Sequence, residues 1–415
     1  MPLIGSKIET LLNKGVTIHK PESVHIDEDV DPERISGDGV VIYPGCGLYG
    51  KSTLIMAGTR LGEEAPVAVE NCQLGPGVEL KGGYFKRAVF LEKANAGSGA
   101  HVREGTILEE QAGIAHTVGL KQTILFPFVT LGSLINFCDC LMAGGTSRRN
   151  HSEVGSSYIH FNFTPNQDKA TASLIGDVPG GVMLDQPPVF LGGQGGLVGP
   201  CRLAFGTTIA AGSIYRKDEL RPDRLLVAKQ ARGGSMPFVT GVYRVVKRIF
   251  VNNINYIGNL FALLQWYRNV RALFISKEFA QPLLDGLIFN AEAAILERIE
   301  RLEAFCGKLP ASADMYRKTI DDDPTSRLLA QKKELDERWP DVKLVLKEAV
   351  NHEGDPSIRD RFLETLLVAM KNEGKDYLRV ITALEQQQRR EGTKWLQGIV
   401  DRTTEGVLAL LPSLG

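Results

Sequence analysis

The sequence predicts a mainly β first half, a left-handed parallel β-helix, followed by an all-α domain, and three observations carry that prediction. Glycine is dense up to Gly234 and sparse beyond it, where charged and long aliphatic residues take over. Aliphatic residues recur every six positions in three runs: Ile42, Leu48, Leu54; then Ala96, Val102, Leu108, Ile114, Leu120; then Leu197, Leu203, Ile209. Six is neither the helix nor the strand period, and it fits a unit of one short strand plus one turn, three of which close a triangular coil. Past residue 236 the apolar spacing becomes helical, with Val245, Val246, Ile249, Phe250, Ile254, Ile257, Leu260, Phe261 and Leu264 in the first run.

In a hexapeptide coil the repeated aliphatic residue points inward and stacks on its counterparts above and below, so no coil is stable alone. Glycines such as Gly45, Gly47, Gly50, Gly75, Gly77, Gly82 and Gly83 fall at the corners, which need positive φ or little side-chain volume. An antiparallel sandwich would show alternation over about 5 to 8 residues instead, and little of it is present. Segments 147–150 and 164–172 interrupt the hexads, are polar, and are expected to protrude as loops, where binding usually sits on a rigid scaffold.

Residues 231–237, with Gly233, Gly234 and Pro237, read as a linker that divides the chain into 1–236 and 237–415. The second part is expected to hold helices over 242–274, 279–305, 325–337, 342–350, 358–371, 377–389 and 394–411, broken at Pro340, Gly354-Asp355-Pro356 and Gly374. Arg244, Lys247, Arg248, Arg268 and Arg271 flank the first of these. Because its apolar residues occupy more than one face, they read as the solvated edge of a helix packed on the solenoid or on another subunit rather than as a membrane-surface face.

Composition narrows the function. The 415 residues carry a formal net charge of −1 with no basic block, so there is no electrostatic footprint for nucleic acid. A basic segment followed by an apolar stretch is missing from the N-terminus and no apolar run approaches membrane-spanning length, so a cytoplasmic protein without an integral membrane segment is expected. Six scattered cysteines read as reduced thiols, and Cys138 and Cys140 are two apart with no second pair nearby, so no metal site is expected.

Three segments carry a resemblance to a known family. They are Leu11-Leu12-Asn13-Lys14-Gly15-Val16-Thr17-Ile18 followed by Pro21; Val154-Gly155-Ser156-Ser157-Tyr158-Ile159-His160-Phe161-Asn162-Phe163, a polar loop, and Ser173-Leu174-Ile175-Gly176-Asp177; and Gly193-Gln194-Gly195-Gly196-Leu197-Val198-Gly199-Pro200 ending in Thr208-Ile209-Ala210-Ala211-Gly212. In order and spacing, residues 11–218 resemble the hexapeptide-repeat acyltransferase half of the bifunctional UDP-N-acetylglucosamine pyrophosphorylase/glucosamine-1-phosphate N-acetyltransferase family. The resemblance implies acetyl-CoA as co-substrate, a sugar phosphate or nucleotide sugar as acceptor, a homotrimer, no metal at the catalytic centre and a role in cell envelope biosynthesis. It covers only the solenoid half, so uridylyl transfer is not expected of this chain.

The family's loop asparagine corresponds to Asn162, its tyrosine to Phe163, its Asp-Gly to Thr164-Pro165, and its loop lysine to Asp168, with Lys169 beside it. The family's catalytic histidine falls on Gln122 when Leu131-Gly132 is the anchor and on Asp139 when Val154-Gly155 is.

Acyl transfer from a thioester needs a base near the acceptor and a donor for the developing oxyanion, and imidazole suits the first task. Four of the seven histidines fall between 101 and 160. His151, which follows Arg148-Arg149-Asn150, is the leading candidate, with His116 and with His160, which would share a strand face with Asn162. Candidate substrate-binding residues are Asn162, Phe163, Arg148, Arg149, Lys169 and Gln122, the two arginines because a guanidinium fork matches phosphate. Gly193, Gly195, Ala210 and Ala211 are candidates for holding the acyl carrier, since small residues let a ligand approach the backbone; a cramped corner is the alternative. The functional readings are therefore an acyltransferase-like protein or, as the alternative, a non-catalytic nucleotide-sugar-binding or assembly protein on a degenerate solenoid; a cytoskeletal-type structural solenoid is a third class.

Overall fold

The structure, a computed structural model, describes residues 5–166, 168–228, 233–235, 238–319 and 326–414. A first helix, α1 (Ser6–Lys14), ends at Gly15 in the left-handed conformation and leads into a parallel β-solenoid. Eleven strands, from Thr17–Ile18 to Leu225–Leu226, stack in parallel as one face of a triangular prism, face I. A second sheet wraps the other two, faces II and III, because the strands Gly119–Leu125 and Asn136–Met142 run round the corner between them. Every residue of the three hexad runs is buried, from Ile42 to Ile209, so the six-residue period reports the prism's interior.

The corner between faces II and III is a column of left-handed residues, Gly50, Asn71, Arg87, Gly105, Gln122 and Asp139, with φ between 46° and 80°. Four of the six are not glycine. Stacking of coils imposes a conformation that L-residues otherwise avoid, so glycine spacing alone reveals only part of the corners.

The segment read as a loop around residues 147–150 is an antiparallel hairpin, Gly145–Ser147 with Asn150–His151, at the corner between faces III and I. The second interruption does not protrude. Its Asn166 carbonyl accepts from Lys308 Nζ (2.6 Å), Asn166 Oδ1 from the Gly241 amide (2.7 Å), Asp168 Oδ1 from the Tyr243 hydroxyl (3.0 Å), and the Ala170 carbonyl from Asn253 (3.1 Å). These four polar groups are bonded to the second part of the chain.

The linker read at 231–237 lies mostly outside the described residues. Beyond it, α2 (Val246–Gln265) ends in a π turn at Trp266–Val270 and a 3-10 turn at Arg271–Phe274, so the helix expected over 242–274 is shorter. Then come α3 (Gln281–Cys306), α4 (Leu309–Thr319), α5 (Arg327–Ala349), α6 (Pro356–Glu373), α7 (Tyr377–Ala383) and α8 (Gln386–Leu408). Three expectations are corrected. α4, only 11 residues long, had too short an apolar pattern to be found. α5 continues through Pro340, because Leu335, Trp339, Val342 and Leu346 on either side are held in the core. The helix expected over 377–389 breaks at Leu384, after which Glu385 starts α8 with a capping box to Gln388.

α2 is buried on nearly every side, with Phe250, Ile254, Ile257, Leu260, Phe261 and Leu264 at 0% exposure, which accounts for its all-round apolar pattern. Among the described residues no helix is long and apolar enough to cross a membrane. α3 lies along face III: a Cβ on Gly286 would meet Gln73 and Val89, and Arg298 reaches Asp139. Twelve residues of helix rise about 18 Å. The three to four coil steps between those contacts span about 14 to 19 Å at the spacing of neighbouring strands, so helix and solenoid run side by side.

The far edge of face III is fastened by charge. Glu109 and Glu110 sit at the corner with face I; the fully buried Arg271 pairs with Glu110 and lies over the rings of Tyr377 (3.8 Å) and Phe279 (4.5 Å). Tyr267 donates to Glu109 (2.7 Å), and burial together with the neighbouring Glu110 charge pushes the Glu109 carboxyl up to about 7. Removing one partner of a buried pair leaves the other charge uncompensated. Arg271→Met is expected to lower unfolding stability by about 3 to 5 kcal/mol in urea titrations, and Glu110→Gln in the same chain to recover part of the loss.

Candidate functional site

Register defines one column of chemically interesting residues. Gly119, Asn136 and Ile159 are paired across successive coils, so Gln122, Asp139 and Asn162, each three residues further on, occupy equivalent corner positions in consecutive coils. The two positions onto which the family's histidine falls are therefore neighbours, one coil apart. Asn162 Nδ2 points at Asp139 Oδ2 (3.5 Å), and Asn162 Oδ1 accepts from the Thr171 hydroxyl (2.9 Å). The remaining partner comes from α3: Arg298, 3% exposed, places Nη2 2.8 Å from Asp139 Oδ1. Phe163 stands out from the same corner at 73% exposure, and Lys169 is exposed on the loop that follows.

The other candidates lie elsewhere. His151 is on the hairpin between faces III and I, 4.0 Å from Glu153. Arg148, in the same hairpin, donates to the carbonyls of Gln111 (3.0 Å) and Phe128 (2.8 Å) and to the Thr130 hydroxyl (3.0 Å), so its guanidinium binds the hairpin to the coils beneath. Arg149 is exposed. His116 sits between faces I and II against the Ser133 hydroxyl (2.8 Å). His160 does not share a side with Asn162: the strand ends at Phe161, His160 points into the prism, and the chain turns outward at Asn162. Among the described residues no histidine hydrogen bonds to Asp139 or Asn162.

Gly193, Gly195, Ala210 and Ala211 share the corner between faces I and II with His116. Coil packing already demands small residues there, since a Cβ on Gly195 would stand 2.8 Å from the Gly192 and Ser213 carbonyls.

Sequence reading missed two features. Arg298 lies in a helix with ordinary apolar spacing, and only docking brings it to Asp139. On face II, Gly119 occupies the row of His101, Asn136 and Ile159 without a side chain, leaving a groove of about 510 Å³ also bounded by Arg103, Leu134 and Cys138. A glycine interrupting a row of large residues was its only signal. The neighbouring Asp139 and, above all, burial push the Cys138 thiol up, so it is no ready nucleophile.

These features define a parallel β-solenoid consistent with a hexapeptide-repeat acyltransferase region. The homologues of this half are proteins named bifunctional protein GlmU: that of Thermotoga maritima is 27% identical over 216 residues, 51% of this chain and 42% of the relative. That of Trichlorobacter lovleyi is 30% identical over 220 residues, 53% and 42% of the two chains, and that of Carboxydothermus hydrogenoformans 26% over 226, 54% and 45%. The chain thus spans less than half the length of these relatives. No family model matches it.

His160 offers a test of the column's surroundings. Its Nε2 lies 2.8 Å from the Ser173 hydroxyl, and burial holds its pKa down at about 4, against the ordinary 6.5. A base with a depressed folded pKa adds stability above its unfolded value that is lost as pH falls toward the folded one, here about 3 kcal/mol between about pH 6.5 and 4. His160→Gln is expected to flatten the fall in urea midpoint across that window, relative to the parent protein.

Proposed function

We propose that the protein binds a sugar phosphate or nucleotide sugar at the Asp139–Asn162 column and the adjoining face II groove, on a solenoid of acyltransferase descent that has given up catalysis. One observation carries this reading: of the two positions onto which the family's histidine falls, Gln122 and Asp139, neither holds a histidine, and Asp139 is paired with Arg298. Both Asp139 oxygens face protein partners, Oδ1 the Arg298 guanidinium and Oδ2 the Asn162 amide, so neither is directed at an incoming acceptor, whereas Asn162, Arg103 and His101 remain suited to hydroxyls and phosphate. The two-part division at residue 236/237 belongs to the same reading, with the helical part serving assembly and closure of face III.

Acyl transfer from acetyl-CoA is the second reading, supported by the GlmU relatives. It requires a base from outside the column, and His116 or His151 of a neighbouring subunit meets that need in a homotrimer. Exposed Leu134, Ile159, Phe190, Ile214 and Leu225 on the solenoid outside face III support such an association. In either reading the protein acts in the cytoplasm, in precursor synthesis for the cell envelope, without a catalytic metal.

Calorimetric titration with UDP-N-acetylglucosamine and with glucosamine-1-phosphate should detect binding that Asn162→Ala weakens about tenfold or more, as expected for loss of a hydrogen bond to a buried ligand group. No thiol should be released from acetyl-CoA in the presence of either. Thiol release abolished by His116→Ala or His151→Ala would replace this reading with the second; absence of binding to both ligands would reject it.

A further inference from the structure

A second cleft, of about 940 Å³, opens between α8, the loop leading into α6, and the solenoid segment at Asp185 and Gln186. Its wall is built rather than accidental. Gly354 has φ +80°, a Cβ there would stand 2.7 Å from the Trp395 ring, and Trp395 Nε1 donates to the Glu353 carbonyl (2.7 Å). The loop is therefore clamped onto α8.

Arg390, Lys394 and Arg402 line this cleft from α8, with Gly398 completing a stripe of four-residue steps. Such a stripe lies on one side of a helix and here spans about 18 Å. Gly398 leaves its middle open, since nothing stands within 4 Å of a Cβ there. Among the described residues none of the three cations has a hydrogen-bond or ion-pair partner. Arg390 and Lys394, like charges four residues apart, repel each other, and an anion placed between them would relieve that repulsion.

The remaining lining is not uniformly positive. Asp185, Asp355 and Asp401 face the same space: Asp355 caps α6 through one oxygen, while Asp185 accepts from Gln186 (2.7 Å) and Asp401 from Gln397 (2.7 Å), each on one oxygen and leaving the other free. His352 Nδ1 accepts from the Gly354 amide (3.1 Å), which puts the proton of the neutral ring on Nε2 as a donor. Cations recognise phosphate, and carboxylates recognise vicinal hydroxyls. Trp395 is buried at 1% exposure, so no aromatic platform is offered to a nucleobase.

We infer that this cleft binds a phosphorylated, hydroxyl-rich small molecule of the sugar-phosphate class, its phosphate on Arg390 and Lys394 and its hydroxyls on Asp185 and Asp401. The site is separate from the Asp139–Asn162 column and does not depend on the function proposed there.

The full chain carrying Asn162→Ala is titrated calorimetrically with glucose-1-phosphate, glucose and inorganic phosphate, so that the column does not contribute. Glucose-1-phosphate should bind, more tightly than phosphate and far more tightly than glucose. Adding Arg390→Ser and Lys394→Ser, both exposed positions, should weaken it about tenfold or more, as loss of charge-assisted bonds predicts. Thermal unfolding of that variant without ligand checks that the fold is kept, and Asp401→Asn, which keeps shape and positive charge, should weaken the sugar phosphate while sparing phosphate. Absence of binding, binding unchanged by the double substitution, or equal affinity for phosphate and glucose-1-phosphate would each overturn the inference. Binding lost through Asn162→Ala alone would bear on the column and also overturn the cleft.

Discussion

Coil-on-coil register is the constraint from which the rest of this structure follows. Each coil must set its inward aliphatic residues over those below, and the corners then repeat whether or not the residues there are suited to them. That is why Asn71, Arg87, Gln122 and Asp139 take up left-handed backbone usually left to glycine. The same repetition aligns Gln122, Asp139 and Asn162, residues 17 and 23 apart in the chain. Chemistry at a solenoid corner is thus inherited from stacking and needs no local motif.

The helical part is held to face III by apolar packing in the middle and by charge at both edges. At one edge Arg298 meets Asp139; at the other Arg271 meets Glu110, with Glu109 beside it. Buried ion pairs add little net stability over apolar packing, because desolvation offsets most of the attraction, yet they penalise wrong placement heavily. Two such pairs on opposite edges fix the sideways position of the helices on a face whose aliphatic surface alone would let them slide. One of the two also neutralises the corner residue on which the functional question turns, which joins assembly to chemistry in a single contact.

Much of the solenoid was legible from the hexads, because Ile42, Leu108, Leu203 and their counterparts all mark the interior. The helices were legible where their apolar stripe was long, and obscured at α4, at Pro340 and at Leu384, where length, tertiary support and a cap override the local pattern. The candidate site was legible only in part. Asn162, and Asp139 as one of two alternatives, came from the family resemblance, but alignment along the chain does not say which corner a residue occupies. His116, His151 and the column therefore read as neighbours and lie on three different corners, while His160 lies inside. Arg298 left no trace in the sequence, since its meaning comes from a partner 159 residues away.

The commensurate rise of α3 and the coils beneath it has a consequence for how such a chain can change over evolutionary time. Solenoids ordinarily gain or lose whole repeats, because each touches only its neighbours. Here the stretch from Gln73 to Asp139 is measured off by a rigid helix anchored at Gly286 and Arg298. A coil added within it would carry Asp139 about 4.8 Å beyond the guanidinium, close to but not equal to one helical turn of about 5.4 Å. No simple insertion in the helix makes up that difference at every contact, so the helix acts as a ruler: repeats are free to come and go only above and below it.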